Sequence, residues 1–417
     1  MSQISELSDD LLVKILLFLP TKVAVSTSVL SKQWKFLWMW SPKLDFDDYR
    51  DINHTKKSSL LMYRYENLAL HRAPILESLV LKFRFKSENI KQWVGIAVSR
   101  RVRELSISYL YVWDVNSQVL LPCSLYSCTS LVTLKLEGKN ILVDVPPTVC
   151  LPSLKTLQLL RVTYSNEDSL SLLLSYCPVL EALSIDRGYY DNMRVLVVDV
   201  PSLRCLSLNI NSECSSDDGC VIVTPSLKSF YVVDTTSKCS YLVEPMPDLE
   251  EANIFVKQNP EKLLVSITSV KRLSLRVDFN SKEDPGYDAG IVFNQLEHLK
   301  LCIINDYWSK LLVRLLKDSS KLRVLNLDAS TYIQFGNVQR NINFHELPSL
   351  EGSSVPNCLL KSLETFDFVG CDTSLFSKKR TKSGFWNTRL LMLKYCRKIQ
   401  VWKLIRSPHL ETQIAQS

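Results

Sequence analysis

Twelve cysteines, five histidines and 43 carboxylate side chains are among the groups in this chain able to carry covalent, metal or acid–base chemistry, and their spacing argues against each. The cysteines stand at 123, 128, 150, 177, 205, 214, 220, 239, 302, 358, 371 and 396, with no C-x-x-C pair, and most adjoin Leu, Pro or Val. In a reducing compartment that is the pattern of small core and turn residues, not of disulfides or zinc ligands. The histidines at 54, 71, 298, 345 and 409 are isolated, and neither H-E-x-x-H nor G-x-S-x-G occurs. The ten glycines form no phosphate cradle of the G-x-x-x-x-G-K-[ST] or G-x-G-x-x-G kind. Adjacent carboxylates such as Glu250-Glu251 and Asp217-Asp218 lie in turn-like sequence, where acids cap or are solvated. The expectation is a non-catalytic chain without cofactor or metal.

What the sequence has in excess is leucine, 68 of 417 residues in a chain that is 46% apolar and 22% charged. Such a length predicts two or three folding units with a large core and excludes a disordered or fibrous protein. The opening Met-Ser-Gln-Ile-Ser-Glu lacks the basic and apolar regions of a signal peptide, and no run of about 18 apolar residues occurs. A soluble protein of the nucleus and/or cytoplasm is expected, with no membrane partner. The sequon Asn53-His54-Thr55 then reads as a chance match.

The elements that would position a binding surface begin at once. Ser8 is a suitable N-cap, Asp9 and Asp10 suit a first turn, and Leu11, Leu12, Ile15, Leu16 and Leu19 recur at helical spacing. Pro20 stops that helix near Leu19; Thr21 can cap a second through about Val29, and Ser31 a third that holds Trp34, Phe36, Leu37 and Trp38. Three short helices within about 35 residues display more apolar surface than they can bury among themselves. Either a partner or the rest of the chain must cover it.

The order Leu7, Asp9, Asp10, Leu11, Leu12, Ile15, Leu16, Leu19-Pro20, Val29, Leu30-Ser31, Trp34, Leu37-Trp38 resembles the F-box, in the plant form with its LPTK, TSVLSK and LW strings, over about Ile4 to Leu44. The resemblance implies docking on a Skp-type adaptor, itself held by a cullin carrying a RING subunit. Carried over by position, the adaptor face is expected at Leu7, Leu11, Ile15, Leu19, Pro20, Val29 and Trp34, with Leu12, Leu16 and Leu30 inward. The chain departs from the family where Leu7-Ser8 replaces Leu-Pro, which removes a rigid contact at the helix start and leaves Ser8 as the cap.

From 70 to 330 one phrase recurs: Leu, two variable residues, Leu, one residue, Leu. Its anchors stand at 76, 102, 131, 154, 180, 203, 227, 249, 270, 296 and 322, a mean step of about 24.6 residues, within the 20 to 29 of leucine-rich repeats. The last two apolar positions are two apart and so share one face of a short strand, while the anchor plugs the turn that leads into it. Stacked in parallel, such strands make a continuous core and a solvent-facing sheet. On that face Gln158, Arg204, Arg276, His298 and Lys300 are the candidates for holding a target protein. Helical returns are expected at SLSLLLSYC and WSKLLVRLLKDSS, and loops around 212 to 219 and 281 to 290. Asn211 is the clearest counterpart of the asparagine that usually ends such a phrase. The irregular steps resemble those of plant F-box proteins.

The string LPSLEGSSVPNCLLKSLETFDFVGC, 347 to 371, resembles the opening half of the FBD module, through Pro356, Cys358, Leu359, Leu360, Leu363, Glu364 and Phe366. The acidic helix that follows in that module is absent. Instead, residues 373 to 410 hold ten basic side chains and no acidic one, leaving 40 basic against 43 acidic elsewhere, a net of −3 beside the overall +7. So local an excess argues against nucleic acid as the main partner. The expected fold class is α/β: a short three-helix F-box (1–45), a linker (46–70), an irregular leucine-rich-repeat solenoid with a parallel sheet (71–345) and a divergent FBD-like segment with a basic tail (346–417). The expected function is target recognition within an SCF-type ubiquitin ligase; the alternative is a non-ligase repeat scaffold with a degenerate F-box and FBD.

Overall fold

The computed structural model describes residues 4, 7–47, 71–83, 90–109, 118–188, 192–211, 219–236, 239–257, 260–277, 291–302, 308–328, 355–370 and 401–406. The chain divides into two compact units, Met1–Leu203 and Arg204–Ser417.

In the first unit, helix α1 (Asp9–Leu16) carries the two acids in its opening turn. The Ser8 side chain does not cap it, contrary to expectation; the Ser8 carbonyl accepts the Leu11 and Leu12 amides, both at 3.0 Å. Gln33 secures the helix start from elsewhere, its Nε2 donating to the Leu7 carbonyl at 3.2 Å and to the Asp9 carboxylate at 3.0 Å. After Pro20, helix α2 (Thr21–Ser26) runs into a 3-10 turn at Thr27–Val29. Thr21 is not its cap either: the side chain is buried and its hydroxyl accepts the Asp45 amide at 2.7 Å. The third helix is a 3-10 stretch, Trp34–Trp40. Leu12, Leu16, Ala24, Trp34, Leu37, Trp38 and Met39 form the core of this module. Trp34 therefore leaves the expected adaptor face: residues three apart eclipse in a 3-10 helix, which sets Trp34 over Leu37 on the inward side, 4% exposed.

Next to this module sits a buried histidine. His71 Nε2 donates to the Ser41 carbonyl at 2.8 Å, its Nδ1 accepts from Arg100, and the Arg72 and Ala73 amides both bond the Met39 carbonyl. Burial, aided by the Arg100 charge and opposed by the Ser41 bond, holds the His71 pKa below its usual 6.5. As pH falls through about 6.5 the unfolded chain takes up this proton first, so stability present above that pH is lost below it. Urea midpoints between pH 7.5 and 5.5 should drop for the wild type, and His71→Gln should be less stable but flatter. Parallel curves would remove His71 as the cause.

The sheet of the first unit is parallel, with strands Lys43–Asp47, Ser78–Phe83, Glu104–Tyr109, Thr133–Glu137, Thr156–Leu160 and Ala182–Arg187 pairing in that order. The register never slips: Leu44, Leu79, Leu105, Leu134, Leu157 and Leu183 form one inward column, and Phe46, Leu81, Ile107, Leu136, Leu159 and Ile185 the next. The anchors Leu76, Val102, Leu131, Leu154 and Leu180 are all 0% exposed, filling the turns that lead into the strands. On the return side, Val119–Leu120, Ile141–Val143 and Thr163–Tyr164 pair as a second small sheet. Helices Ile90–Ser99 and Ser169–Ser175 supply other returns, the second as expected.

The second unit repeats the scheme with Cys205–Ile210, Ser229–Asp234, Glu251–Val256, Arg272–Val277, His298–Cys302, Val324–Asp328, Thr365–Gly370 and Val401–Arg406, again parallel. Leu206, Phe230, Ala252, Leu273, Leu299, Leu325 and Phe366 form its inward column, every one at most 2% exposed. Helices Glu261–Ser266 and Trp308–Asp318 are returns, the latter where expected. Asn211 accepts from the Thr235 hydroxyl at 3.1 Å, joining neighbouring repeats. Each of the eleven leucine phrases thus opens a strand, and strands at 43–47, 365–370 and 401–406 add to them. The first of these extends past the expected F-box boundary at 45. Residues 48–70, 212–218, 281–290 and 371–400 lie outside the described residues, so nearly all of the expected linker and of both expected loops, the sequon and most of the basic tail do as well, while residues 46 and 47 of that linker belong to the strand Lys43–Asp47.

One backbone device recurs from rung to rung. The carbonyl of the residue just before a strand accepts two successive amides from the next repeat: Glu77 from Arg103 and Glu104, Arg103 from Val132 and Thr133, Lys228 from Glu250 and Glu251, Glu297 from Arg323 and Val324. This fixes the lead-in turn whatever side chain stands there.

Candidate functional site

Two surfaces emerge, one in the helical module and one on the outward rows of the strands. In the helical module Leu7, Leu11, Leu19, Pro20 and Val29 are exposed, Val29 to 87%, and Ile15 is half-buried against the core. Leu11 lies on α1 itself, while Leu7 precedes that helix and Phe18 follows it. Leu12 and Leu16 face the core as expected, but Leu30 does not: it is 65% exposed. Phe18, at 89%, together with Val23 and Phe36 enlarges the apolar surface beyond the residues chosen from sequence. Their signal lies in the all-round apolarity of the segment, which spacing alone does not divide into core and surface.

On the strands, Gln158 belongs to the first unit, in register between Lys135 and Ser184. Beside it lies a polar hub that the sequence does not reveal. Glu137 accepts from Ser108 at 3.0 Å and pairs with Lys135 at 3.1 Å and Arg161 at 2.6 Å, while Arg161 reaches Asp186 at 3.7 Å. Burial pushes the Glu137 carboxyl up, but bonds from Lys135 and Ser108 with the Arg161 charge outweigh it, so its pKa falls below the usual value. Asp186, with burial dominant, is raised.

The other four candidates lie in the second unit, where the structure brings three together. His298 and Lys300 stand two apart on one strand, and Arg276 is on the adjacent strand, its guanidinium 4.4 Å from the centre of the Phe255 ring. Lys300 Nζ pairs with Asp328 at 2.7 Å. Burial lowers the pKa of that lysine, and the Asp328 carboxylate more than compensates, holding it above its ordinary value. Arg204 departs from the group. It precedes its strand, and its carbonyl accepts the Lys228 and Ser229 amides, which places it in the lead-in row and off the strand face. That row has ion pairs of its own, Lys155 with Glu181, Lys228 with Glu250 and Arg323 with Glu364. No group of three or more metal-ligating side chains occurs among the described residues. Among them also, no helix is long and apolar enough to cross a membrane.

A small helical module with an outward apolar surface, followed by stacked leucine strands, defines an F-box joined to leucine-rich repeats. The F-box domain family matches residues 4–46, and the family described as "FBD-associated F-box protein At5g56370, LRR repeats" matches residues 90–285. Among Arabidopsis thaliana relatives, the FBD-associated F-box protein At5g56700 is 59% identical over 89% of this chain and 91% of its own, and At5g60610 is 51% identical over 89% and 93%. The F-box/FBD/LRR-repeat protein At5g62970 is 46% identical over 91% and 89%. This chain belongs to the FBD-associated F-box family with leucine-rich repeats. Of solved structures, a chain of "Crystal structure of TLR13-ssRNA13 complex" aligns at 13% identity over 76% of this chain and 51% of its own; its TM-score of 0.30 supports no argument.

Proposed function

We propose that this chain is the substrate-recognition subunit of an SCF-type ubiquitin ligase, acting in the nucleus and/or cytoplasm and performing no catalysis itself. Its F-box docks on a Skp-type adaptor and through it on a cullin–RING assembly; its strand faces hold a target protein, with neither nucleic acid nor membrane required. The observation that carries this reading is the apolar surface of Leu7, Leu11, Phe18, Leu19, Val23 and Val29, solvent-exposed on a module whose core is already complete without it. Covering such side chains contributes about 1.5 to 3 kcal/mol for each one fully buried, so a few suffice for stable docking. The chain then supplies proximity, which raises the effective concentration of a target lysine near a ubiquitin-charged enzyme.

The test is co-purification of the full chain with a Skp-type adaptor, beside the double variant Leu11→Asp, Leu19→Asp. Both positions are exposed, so the variant should keep its thermal unfolding curve while adaptor recovery falls at least about 100-fold, as expected when two charges must be desolvated. Equal recovery of the two proteins, or none of either, removes the ligase role. A repeat scaffold outside any ligase would instead hold a partner whose abundance is unchanged when this chain is removed.

A further inference from the structure

We propose that Cys220 and Cys239 are a peroxide-responsive thiol pair that closes to a reversible disulfide within the second unit. Their sulfurs stand 3.7 Å apart, in contact, against the roughly 2.05 Å of a formed bond. They are held by the parallel strands Gly219–Val223 and Ser240–Val243, in which Gly219 faces Ser240 and Cys220 faces Tyr241. Ser240 crowds Gly219 there: a Cβ on Gly219 would lie 2.8 Å from Ser240 Oγ and 3.2 Å from the Ser240 carbonyl oxygen. Cys239 immediately precedes Ser240, the first residue of its strand paired to Gly219.

Access divides the roles. Cys220 is 1% exposed, whereas Cys239 is partly open to solvent. The Cys239 thiol gives its proton to solvent and the thiolate attacks hydrogen peroxide; the O–O bond breaks, a sulfenic acid forms, and the departing hydroxide takes a proton back from solvent to become water. The Cys220 thiol then attacks that sulfur, forming the S–S bond as the sulfenic hydroxyl leaves with the proton as a second water. A dithiol reverses the step by exchange, itself becoming oxidised. Other buried thiols are poor competitors: burial pushes Cys177 and Cys358 up to about 12, and their Sγ–H groups donate to the carbonyls of Leu173 and Leu316. The bond would close a loop around the strand Ser229–Asp234, whose Tyr231 lies on the outward face, 42% exposed. Oxidation would thereby join covalently the two return segments that flank that rung in sequence.

The experiment uses the full chain, reduced, desalted, exposed to hydrogen peroxide, alkylated and digested without reduction. Two of the twelve thiols should be lost and recovered in a peptide joining 220 to 239, with dithiothreitol restoring both. Cys220→Ser should leave Cys239 as a sulfenic acid that dimedone traps, and Cys239→Ser should abolish the link. A link between other cysteines, such as 150 and 177, overturns the proposal. Retention of both thiols at a peroxide dose that oxidises the exposed Cys205 overturns it equally. Should Cys220→Ser fail to fold, the wild-type map and Cys239→Ser decide alone.

Discussion

Gly138→Ala is expected to lower the stability of the first unit by roughly 3 kcal/mol or more, an effect of backbone geometry alone. Gly138 has φ of +132°, a region essentially closed to side chains, and a Cβ there would sit 1.8 Å from the Tyr109 carbonyl oxygen. That contact is with backbone, which cannot swing aside as a side chain could. The turn itself is fixed by the Gly138 amide donating to the Leu160 carbonyl at 2.9 Å, so relief would have to break the bond to the neighbouring repeat. Gly95 is the internal comparison. It lies within the helix Ile90–Ser99, where an added methyl would meet nothing within 4 Å, and Gly95→Ala should raise stability by about 0.5 to 1 kcal/mol. Urea midpoints of the two variants should move in opposite directions; movement together would mean that the Gly138 geometry is not the cause.

Trp34→Ala should cost about 3 to 5 kcal/mol, the range for removing a buried aromatic ring from a core. Trp34 packs with Leu12, Leu16, Leu37 and Trp38, so its loss opens a cavity at the centre of the helical module. Val29→Ala, at a site 87% exposed, should leave stability within about 0.5 kcal/mol. Thermal unfolding combined with adaptor capture separates the two roles. Trp34→Ala loses capture because the module unfolds, and a destabilised variant recovers capture on cooling. A fully folded Trp34→Ala protein with undiminished stability would show that the ring is not part of the core.

Much of the fold is legible in the leucine spacing, because the interval of three then two encodes a turn plug followed by two inward strand positions. The plugs at 76, 102, 131, 154 and 180 are each fully buried, as that geometry demands. The strand Lys43–Asp47 is harder to read: it has Leu44 and Phe46 but Ser41 where a leucine plug would stand, and the Pro42 carbonyl accepts the Glu77 and Ser78 amides instead. The helical module divides less cleanly. Carrying family positions over sets Trp34 outward and Leu30 inward, whereas in this chain, with 3-10 geometry at both 27–29 and 34–40, Trp34 is buried and Leu30 exposed. Of the strand-face candidates, Arg276, His298 and Lys300 are found on neighbouring strands, but Arg204 is displaced because the doubly accepting carbonyl belongs to the turn. The Glu137 hub has no sequence signal at all, since its members come from four repeats and meet only once the register is set.

The unslipped register also makes the outward face a grid with two coordinates, rung and row. Ser274, Lys300, Asn326 and Asp367 occupy one row on successive rungs, and Arg272, His298, Val324 and Thr365 another. Any single cross-link from a captured target to Lys300 therefore also locates its nearest neighbours, Ser274 and Asn326 across the rungs and His298 along the strand. A footprint on this protein is thus mapped by address, and a handful of contacts is enough to draw its outline.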